Sequence, residues 1–153
     1  MSFSELVTAK AVIPTLKASN KKQALHELAA KAAELTGLTE REIFDVLMQR
    51  EKLGSTALGA GIAIPHGKLA KLNRIHGVFA RLERPIDFEA LDGQPVDLVF
   101  VLLAPEAAGA DHLKALSRIA RLLRDQQLAN QLRDAVDATA IHAILAQEPP
   151  AAA

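Results

Sequence analysis

One of the five histidines, His66, lies in a sequence context that suits a nucleophile. It follows Pro65, whose ring fixes its own φ angle and pushes the preceding residue into an extended conformation. It precedes Gly67, which allows an unusual turn and leaves one side of the imidazole open. Gly59 and Gly61 would permit another molecule's backbone to come close. We therefore take His66, a rigid imidazole at the end of an apolar strand, as the candidate nucleophile.

Two further residues have types and positions that suit contact with an anion. Arg50 lies seven residues after Ile43, on the apolar stripe of the same predicted helix. Its guanidinium must therefore either reach out to solvent or meet an anion. His112 is predicted in the first turn of a helix that follows a strand and a loop, where free helix amides favour anions. The alternative for His112 is an ordinary surface position in the first turn of the helix. The sequence leaves both alternatives open for each of the two side chains.

The remaining histidines carry weaker signals. His26 and His142 occupy polar positions on predicted helices, and His76 begins a predicted strand, so ordinary surface positions are expected. A zinc site made of His66, His76 and His112 would need ligands from three separate segments without any local pair spacing. No metal site is therefore predicted.

The glycine-rich segment does not fit a nucleotide-binding motif. Residues 61–68 resemble a P-loop, but the spacing is one residue too long and a proline interrupts it. Leu69 also stands where a Ser or Thr must bind magnesium. The third glycine of a dinucleotide fingerprint is missing, so no cofactor is expected.

Composition excludes several classes of partner. Eighteen basic residues balance eighteen acidic ones, and Trp and Tyr are absent, so no nucleic-acid interface is expected. The absence of Cys excludes disulfides and thiolate sites. The longest apolar run, Leu98 to Ala104, is far shorter than the roughly 20 residues that span a bilayer. The N-terminus lacks the features of a signal peptide, so a cytoplasmic protein without membrane insertion is expected.

Helices and strands alternate around these residues. Capping boxes are predicted at Asn20 with Gln23 and at Thr39 with Glu42, and Asp111 is the predicted cap of a later helix. Apolar periodicity predicts helices at 21–36, 40–52, 112–124, 126–135 and 139–146. Short strands are predicted at 11–14, 55–58 and 62–64, and longer ones at 75–82 and 96–103.

These elements predict an α/β fold. Helical segments precede and follow the strand block, and residues 96–103 read as a central strand covered on both faces. The arrangement that buries every apolar stripe is a three-layer sandwich, a mixed β-sheet flanked by helices on both faces. Residues 1–147 are predicted to form a single domain, and residues 148–153 a disordered tail.

The segment around His66 resembles a known phosphorylation motif. Glu51, residues 58–59 and the sequence Ile-Ala-Ile-Pro-His-Gly at 62–67 are similar to the phosphohistidine motif of the fructose, mannitol and nitrogen-regulatory enzyme IIA proteins of the bacterial phosphotransferase system. Arg50 and the segments 92–105 and 111–113 also resemble the family pattern. The likeness covers Leu6 to Leu145, and residues 62–69 are most similar to the nitrogen-regulatory branch.

This resemblance implies a function and roles for the site residues. His66 would be the phosphorylated residue, and Arg50 and His112 would contact the phosphoryl group. The donor would be an HPr-like nitrogen-branch phosphocarrier, and the targets of regulation would be proteins such as sensor kinases or potassium transporters. One alternative is a sugar-transport component that passes phosphate to a IIB permease domain. The other is a regulatory binding module in which the phosphate only switches partners.

A docking surface around His66 is also expected. Its predicted apolar rim consists of Ile62, Ile64, Leu69 and Leu72. Lys68, Lys71 and Arg74 either supply a charged edge to this surface or form an ordinary solvated turn.

Overall fold

A computed structural model describes residues 2–147, so the predicted tail lies outside the described residues. Within this range one mixed sheet contains six strands: β1 (Val12–Leu16), β2 (Ala57–Gly59), β3 (Ile62–Ala63), β4 (His66–Leu69), β5 (His76–Ile86) and β6 (Val96–Pro105). The helices of the same range are α1 (Phe3–Leu6), α2 (Lys21–Thr36), α3 (Glu40–Lys52), α4 (Ala110–Arg124), α5 (Gln126–Asp134) and α6 (Ala138–Ala146). Ala9–Ala11 and Glu106–Ala108 form 3₁₀ turns.

Strand β6 lies at the centre of the sheet. It pairs antiparallel with β5 on one side, and on the other it pairs parallel with β3 and then with β4. The outer strands are β1, parallel to β5, and β2, antiparallel to β3. All seven residues from Leu98 to Ala104 are buried, which confirms the predicted central strand.

The sheet lies between two helical layers, as predicted. One core cluster joins a face of the sheet to α4, α5 and α6 through residues such as Ile119, Leu132 and Ile141. The other cluster joins the opposite face to α2 and α3 through residues such as Leu25 and Leu47. Helices α3 and α4 therefore approach the sheet from opposite sides.

The helix starts differ in part from prediction. The Thr39–Glu42 capping box is confirmed, and the Asn20 side chain caps α2. The predicted box at Asn20 was wrong, because the Gln23 side chain accepts from the Ser19 amide at 2.7 Å.

Helix α4 starts without a side-chain cap. Gly109, with φ of +55°, turns the chain into the helix, so the prediction of Asp111 as cap was wrong. Asp111 lies in the first turn instead, where its negative charge interacts favourably with the positive end of the helix dipole. Leu113, also in the first turn, is 67% exposed, because the stripe of α4 that contacts the sheet contains Ile119 and Leu123.

Two strand predictions also needed correction. β5 continues to Ile86, beyond the predicted end at Leu82, with exposed residues 83–85 that show no apolar alternation. β4 was not predicted, since its sequence, His-Gly-Lys-Leu, contains no β-branched or aromatic residue. Pairing with residues 102–105 of β6 makes it a strand.

Candidate active site

His66 is held at the start of β4 by the central strand. Its partner in the parallel pairing is Leu102, whose amide donates to the carbonyl of Pro65 at 3.0 Å. The imidazole Nδ1 lies 2.8 Å from the carbonyl oxygen of Ile64. Because a carbonyl oxygen only accepts hydrogen bonds, Nδ1 carries the proton in this contact. The lone pair of the neutral ring is therefore on Nε2.

The surroundings of His66 favour this neutral form. Burial lowers the pKa of its half-buried ring below the ordinary 6.5. The hydrogen bond to Ile64 opposes this shift, the positive charge of Arg50 adds to it, and the negative charge of Glu51 opposes it. With a pKa below 6.5, the ring is neutral at pH 7 and has a lone pair available for attack.

Gly67 has a different role from the one predicted. It lies in β4 rather than in an unusual turn, and a Cβ at this position would overlap the Cγ1 of Val46 in α3. Glycine is needed here because α3 packs very closely over β4. Arg50 follows Val46 by about one helical turn, so this close packing also brings the end of α3 toward His66.

Gly59 and Gly61 also serve internal packing. A Cβ on Gly59 would lie 3.0 Å from the carboxylate of Asp92, and one on Gly61 would lie 2.8 Å from the guanidinium of Arg133. The expectation that these glycines leave room for another molecule's backbone was wrong, since the protein's own side chains occupy that space.

Arg50 lies in the last turn of α3, half-buried, and its charge acts on the His66 ring. Its guanidinium Nη1 donates to the carbonyl oxygen of Gly54 at 2.9 Å. The side chain therefore reaches past the helix end and stays within electrostatic range of His66. The structure places it where it could meet an anion bound to that ring.

His112 is not an ordinary surface residue. It lies in the first turn of α4 and is only 4% exposed. Its ring centroid is 5.7 Å from that of His66, with the ring planes at 71°. Burial, then the nearby His66 and Lys68, lower its pKa below 6.5. Its buried Nδ1 has no hydrogen-bond partner among the residues that the structure describes.

Sequence reasoning missed a buried polar network beside this site. The Glu51 carboxylate, next to Arg50, accepts from the Lys21 ammonium at 3.0 Å and from the Thr56 amide at 3.3 Å. The Thr56 hydroxyl also donates to it. Glu51 matched the family motif. Nothing in the sequence indicated its contacts with Lys21, 30 residues earlier, or with Thr56, 5 residues later.

The predicted apolar rim was wrong. Its four residues are 2–8% exposed and belong to the two cores: Ile62, Ile64, Leu69 and Leu72. Ile62 and Ile64 pack into the core beneath α4, α5 and α6, and Leu69 and Leu72 pack into the core beneath α2 and α3. Two exposed apolar side chains follow the candidate residues closely in sequence: Leu53, 85% exposed, three residues after Arg50, and Leu113, directly after His112.

The charged edge is partly present. Lys68, Lys71 and Arg74 are exposed. Lys71 forms an ion pair of 2.8 Å with Glu42 of α3, while Lys68 is close enough to act on the pKa of His112.

The other histidines lie in separate places. His26 is exposed and stacks on Phe44, with ring centroids 3.6 Å apart. His142 was expected on the surface but is half-buried, with Nε2 2.9 Å from the carbonyl oxygen of Val7. Within residues 2–147, no group of three or more His, Asp or Glu side chains is arranged to hold a metal ion.

Comparison with known proteins identifies the family. Residues 5–148 match the model of the family described as phosphoenolpyruvate-dependent sugar phosphotransferase system, EIIA 2. The chain belongs to this family. Among its relatives, a nitrogen regulatory protein of Bradyrhizobium diazoefficiens is 67% identical to this IIA protein over 153 residues, 100% of both chains.

Solved structures agree with this assignment. The nitrogen regulatory protein IIA-Ntr from Neisseria meningitidis superimposes with a TM-score of 0.89 at 35% identity, over 93% of this chain and 97% of that chain. These relatives confirm the predicted nitrogen-regulatory branch. The mannitol IIA of Escherichia coli, solved in complex with phosphorylated IIB, shares the fold with a TM-score of 0.77 at 22% identity, over 92% of this chain and 99% of that chain. Within the described residues, no helix is both long enough and apolar enough to cross a bilayer.

Proposed function

We propose that this IIA protein acts in the cytoplasm as a phosphocarrier with a mainly regulatory role. His66 accepts a phosphoryl group from an HPr-like, histidine-phosphorylated carrier of the nitrogen branch. The observation that supports this most directly is the contact between His66 Nδ1 and the Ile64 carbonyl. It holds the ring in the tautomer whose Nε2 lone pair can attack.

The transfer is an in-line exchange between two imidazoles. Nε2 of His66 attacks the phosphorus while the bond from phosphorus to the donor's ring nitrogen breaks, and that electron pair returns to the donor ring. The Nδ1 proton stays on His66 and remains donated to Ile64. Because one phosphorus–nitrogen bond replaces another, the step is close to isoenergetic and can run in either direction.

Arg50 and His112 stabilise the charge on the transferred group. Arg50 can exchange its hydrogen bond to the Gly54 carbonyl for a stronger one to a phosphoryl oxygen. His112 is neutral, and its buried Nδ1 lacks a partner. An unpaired buried N–H is rarer than an unpaired acceptor, so the ring carries its proton on Nε2. That N–H is then available to the phosphoryl group.

The regulatory reading rests on the similarity to nitrogen regulatory proteins. In this proposal, the phosphorylation state of His66 determines which targets bind, such as sensor kinases or potassium transporters. In the same proposal, targets contact Leu53, Leu113 and Lys68, which are exposed and follow Arg50, His112 and His66 closely in sequence. Transport is the second candidate, because the mannitol IIA of the same fold forms a complex with phosphorylated IIB.

Reconstitution with the phosphorylated carrier tests the proposal. The wild type should acquire acid-labile, base-stable label, and mass spectrometry should locate it on His66. His66→Ala should remove the label, whereas the matched control His76→Ala should keep it. Label that persists in the His66 variant would contradict the proposal. Rapid transfer of the label to purified IIB domains would favour transport, and its persistence in their presence would favour signalling.

A further inference from the structure

A buried ion pair lies beside the site without a direct role in the proposed transfer. The Glu51 side chain is 2% exposed, and Lys21, its partner at 3.0 Å, is 13% exposed. Lys21 also contacts Glu89 at 3.2 Å, and its ammonium lies 5.1 Å from the centroid of the Phe88 ring. The pair joins the first turn of α2 to the last turn of α3. Buried ion pairs of this kind stabilise a fold little by themselves, which favours a role in positioning.

A continuous chain of hydrogen bonds links this pair to the nucleophile. The amide and hydroxyl of Thr56 donate to Glu51. The carbonyl of Thr56 accepts from the amide of Ile64 at 3.1 Å. The carbonyl of Ile64 in turn lies 2.8 Å from Nδ1 of His66. Each link shares a residue with the next, so the buried carboxylate and the ring are joined through two backbone segments.

The same carboxylate anchors the turn that Arg50 contacts. Glu51 directly follows Arg50 in α3, and Thr56 lies just beyond Gly54, whose carbonyl accepts from the Arg50 guanidinium. The segment 53–56 is therefore bound by Arg50 at Gly54 and by Glu51 at Thr56. Loosening Glu51 would disturb both the Arg50 side chain and the backbone that orients His66.

We propose that Lys21, Glu51 and Thr56 form a positioning network that holds His66 in its Nδ1–H tautomer through the Thr56–Ile64 backbone link. The expected change in phosphoryl-transfer rate rests on the proposed function, whereas the expected change in the His66 tautomer does not. Around metal-bound imidazoles, removal of such outer hydrogen-bond partners typically changes activity by about 10- to 100-fold, and we expect an effect at the lower end of this range here. Glu51 never touches the phosphoryl group, and it acts through the carbonyl that orients the ring.

The test combines tautomer measurement with transfer kinetics in Glu51→Gln, which keeps the side-chain shape and removes the charge. Nitrogen-15 NMR of the His66 ring should show the Nδ1–H tautomer in the wild type and a mixture of both tautomers in the variant. The phosphoryl-transfer rate at saturating donor should fall about 10-fold, with donor affinity unchanged. A merely stabilising role would lower Tm but leave the tautomer as it is.

Matched variants make the outcome decisive. Asp97→Asn breaks a partly buried ion pair of 2.8 Å with Arg133. Asp97 lies at the start of β6, away from the Leu102 that pairs with His66, so this variant should leave the tautomer and rate unchanged. If Glu51→Gln does not fold, Thr56→Val removes only the hydroxyl link, and the same two readouts decide. A folded variant with the wild-type tautomer and rate would overturn the positioning role. A wild type that accepts no phosphoryl group would refute the proposed function, and the tautomer would still test the network.

Discussion

The two imidazoles of the site are held in opposite ways. His66 lies on β4, where its Nδ1 has a carbonyl partner and a hydrogen-bonded chain behind it. His112 lies at the start of α4, more deeply buried, with an Nδ1 that has no partner in the described part of the chain. The first ring therefore has a tautomer fixed by the backbone, while Nδ1 of the second makes no hydrogen bond within residues 2–147 that would fix its tautomer.

The helices that flank His66 differ in the same sense. Helix α3 packs so closely on β4 that only glycine fits at position 67, and its end is tied by Glu51. Helix α4 begins after Gly109 with no side-chain cap. The difference fits the proposed mechanism, in which His66 needs a fixed lone pair and His112 needs only to present a hydrogen-bond donor. The following predictions test this division, from the largest expected effect to the smallest.

Arg50→Ala should slow phosphoryl transfer about 10²-fold or more, the scale of losing one preorganised donor. The fold should persist, because the side chain's hydrogen bond is to the exposed turn carbonyl of Gly54. Single-turnover transfer from the phosphorylated carrier measures the rate. Arg41→Ala is the matched control on the same helix, with a side chain 91% exposed, and should leave the rate unchanged. An unchanged rate in Arg50→Ala would make this residue structural.

Gly67→Ala should lower the free energy of unfolding by about 1–3 kcal/mol, the usual cost of overpacking. The added methyl group overlaps Val46, so α3 must move away from β4. Val46→Ala in the same chain should recover most of the loss, because it empties the contested space. Denaturant unfolding of the two single variants and the double variant measures the coupling. If the losses in free energy of unfolding of the two single variants simply add in the double variant, α3 does not pack on β4 as closely as described.

His112→Leu should slow transfer about 10- to 100-fold, because one hydrogen bond to a charged group contributes roughly 1.5–3 kcal/mol. Its free energy of unfolding should be unchanged or higher, since the substitution removes a buried nitrogen that has no partner. Transfer kinetics and denaturant unfolding on the same samples give both values. His76→Leu is the control that should keep the rate. A strong loss of stability in His112→Leu would mean that the imidazole is structural.

The pKa of both rings should lie below 6.5, as NMR titration of their carbon-bound protons can show. When the pKa of a histidine is lower in the folded than in the unfolded state, the unfolded state binds more protons at every pH between these two pKa values. The contribution of the two neutral rings to the free energy of unfolding is therefore fully present above pH 6.5. It is lost as the pH falls through the pKa of the folded state. A titration midpoint above 6.5 would contradict the described burial of the rings.

Much of the fold could be predicted from local pattern. The capped helices α2 and α3 and the apolar strand β6 have periodicity and end signals within a few residues of one another. The two features that deviate most, β4 and the burial of Ile62 and Leu69, depend on pairing with β6. The local sequence does not reveal this pairing, so buried residues were predicted to form an exposed rim.

The sequence could nominate the candidate residues but not their geometry. His66 has a distinctive sequence neighbourhood, and the structure places Arg50 and His112 near it. The reason for Gly67 is Val46, which belongs to another element, and the partners of Glu51 come from α2 and from the approach to β2. Contacts between distant segments decide these roles, and one sequence alone does not reveal them.

Phosphorus-31 and nitrogen-15 NMR of the phosphorylated protein tests the central claim most directly. The Ile64 carbonyl occupies Nδ1 of His66, so the phosphoryl group should appear as a single phosphohistidine with phosphorus coupled to Nε2 of this ring. Coupling to Nδ1, or a phosphoryl group on any other residue, would contradict the account.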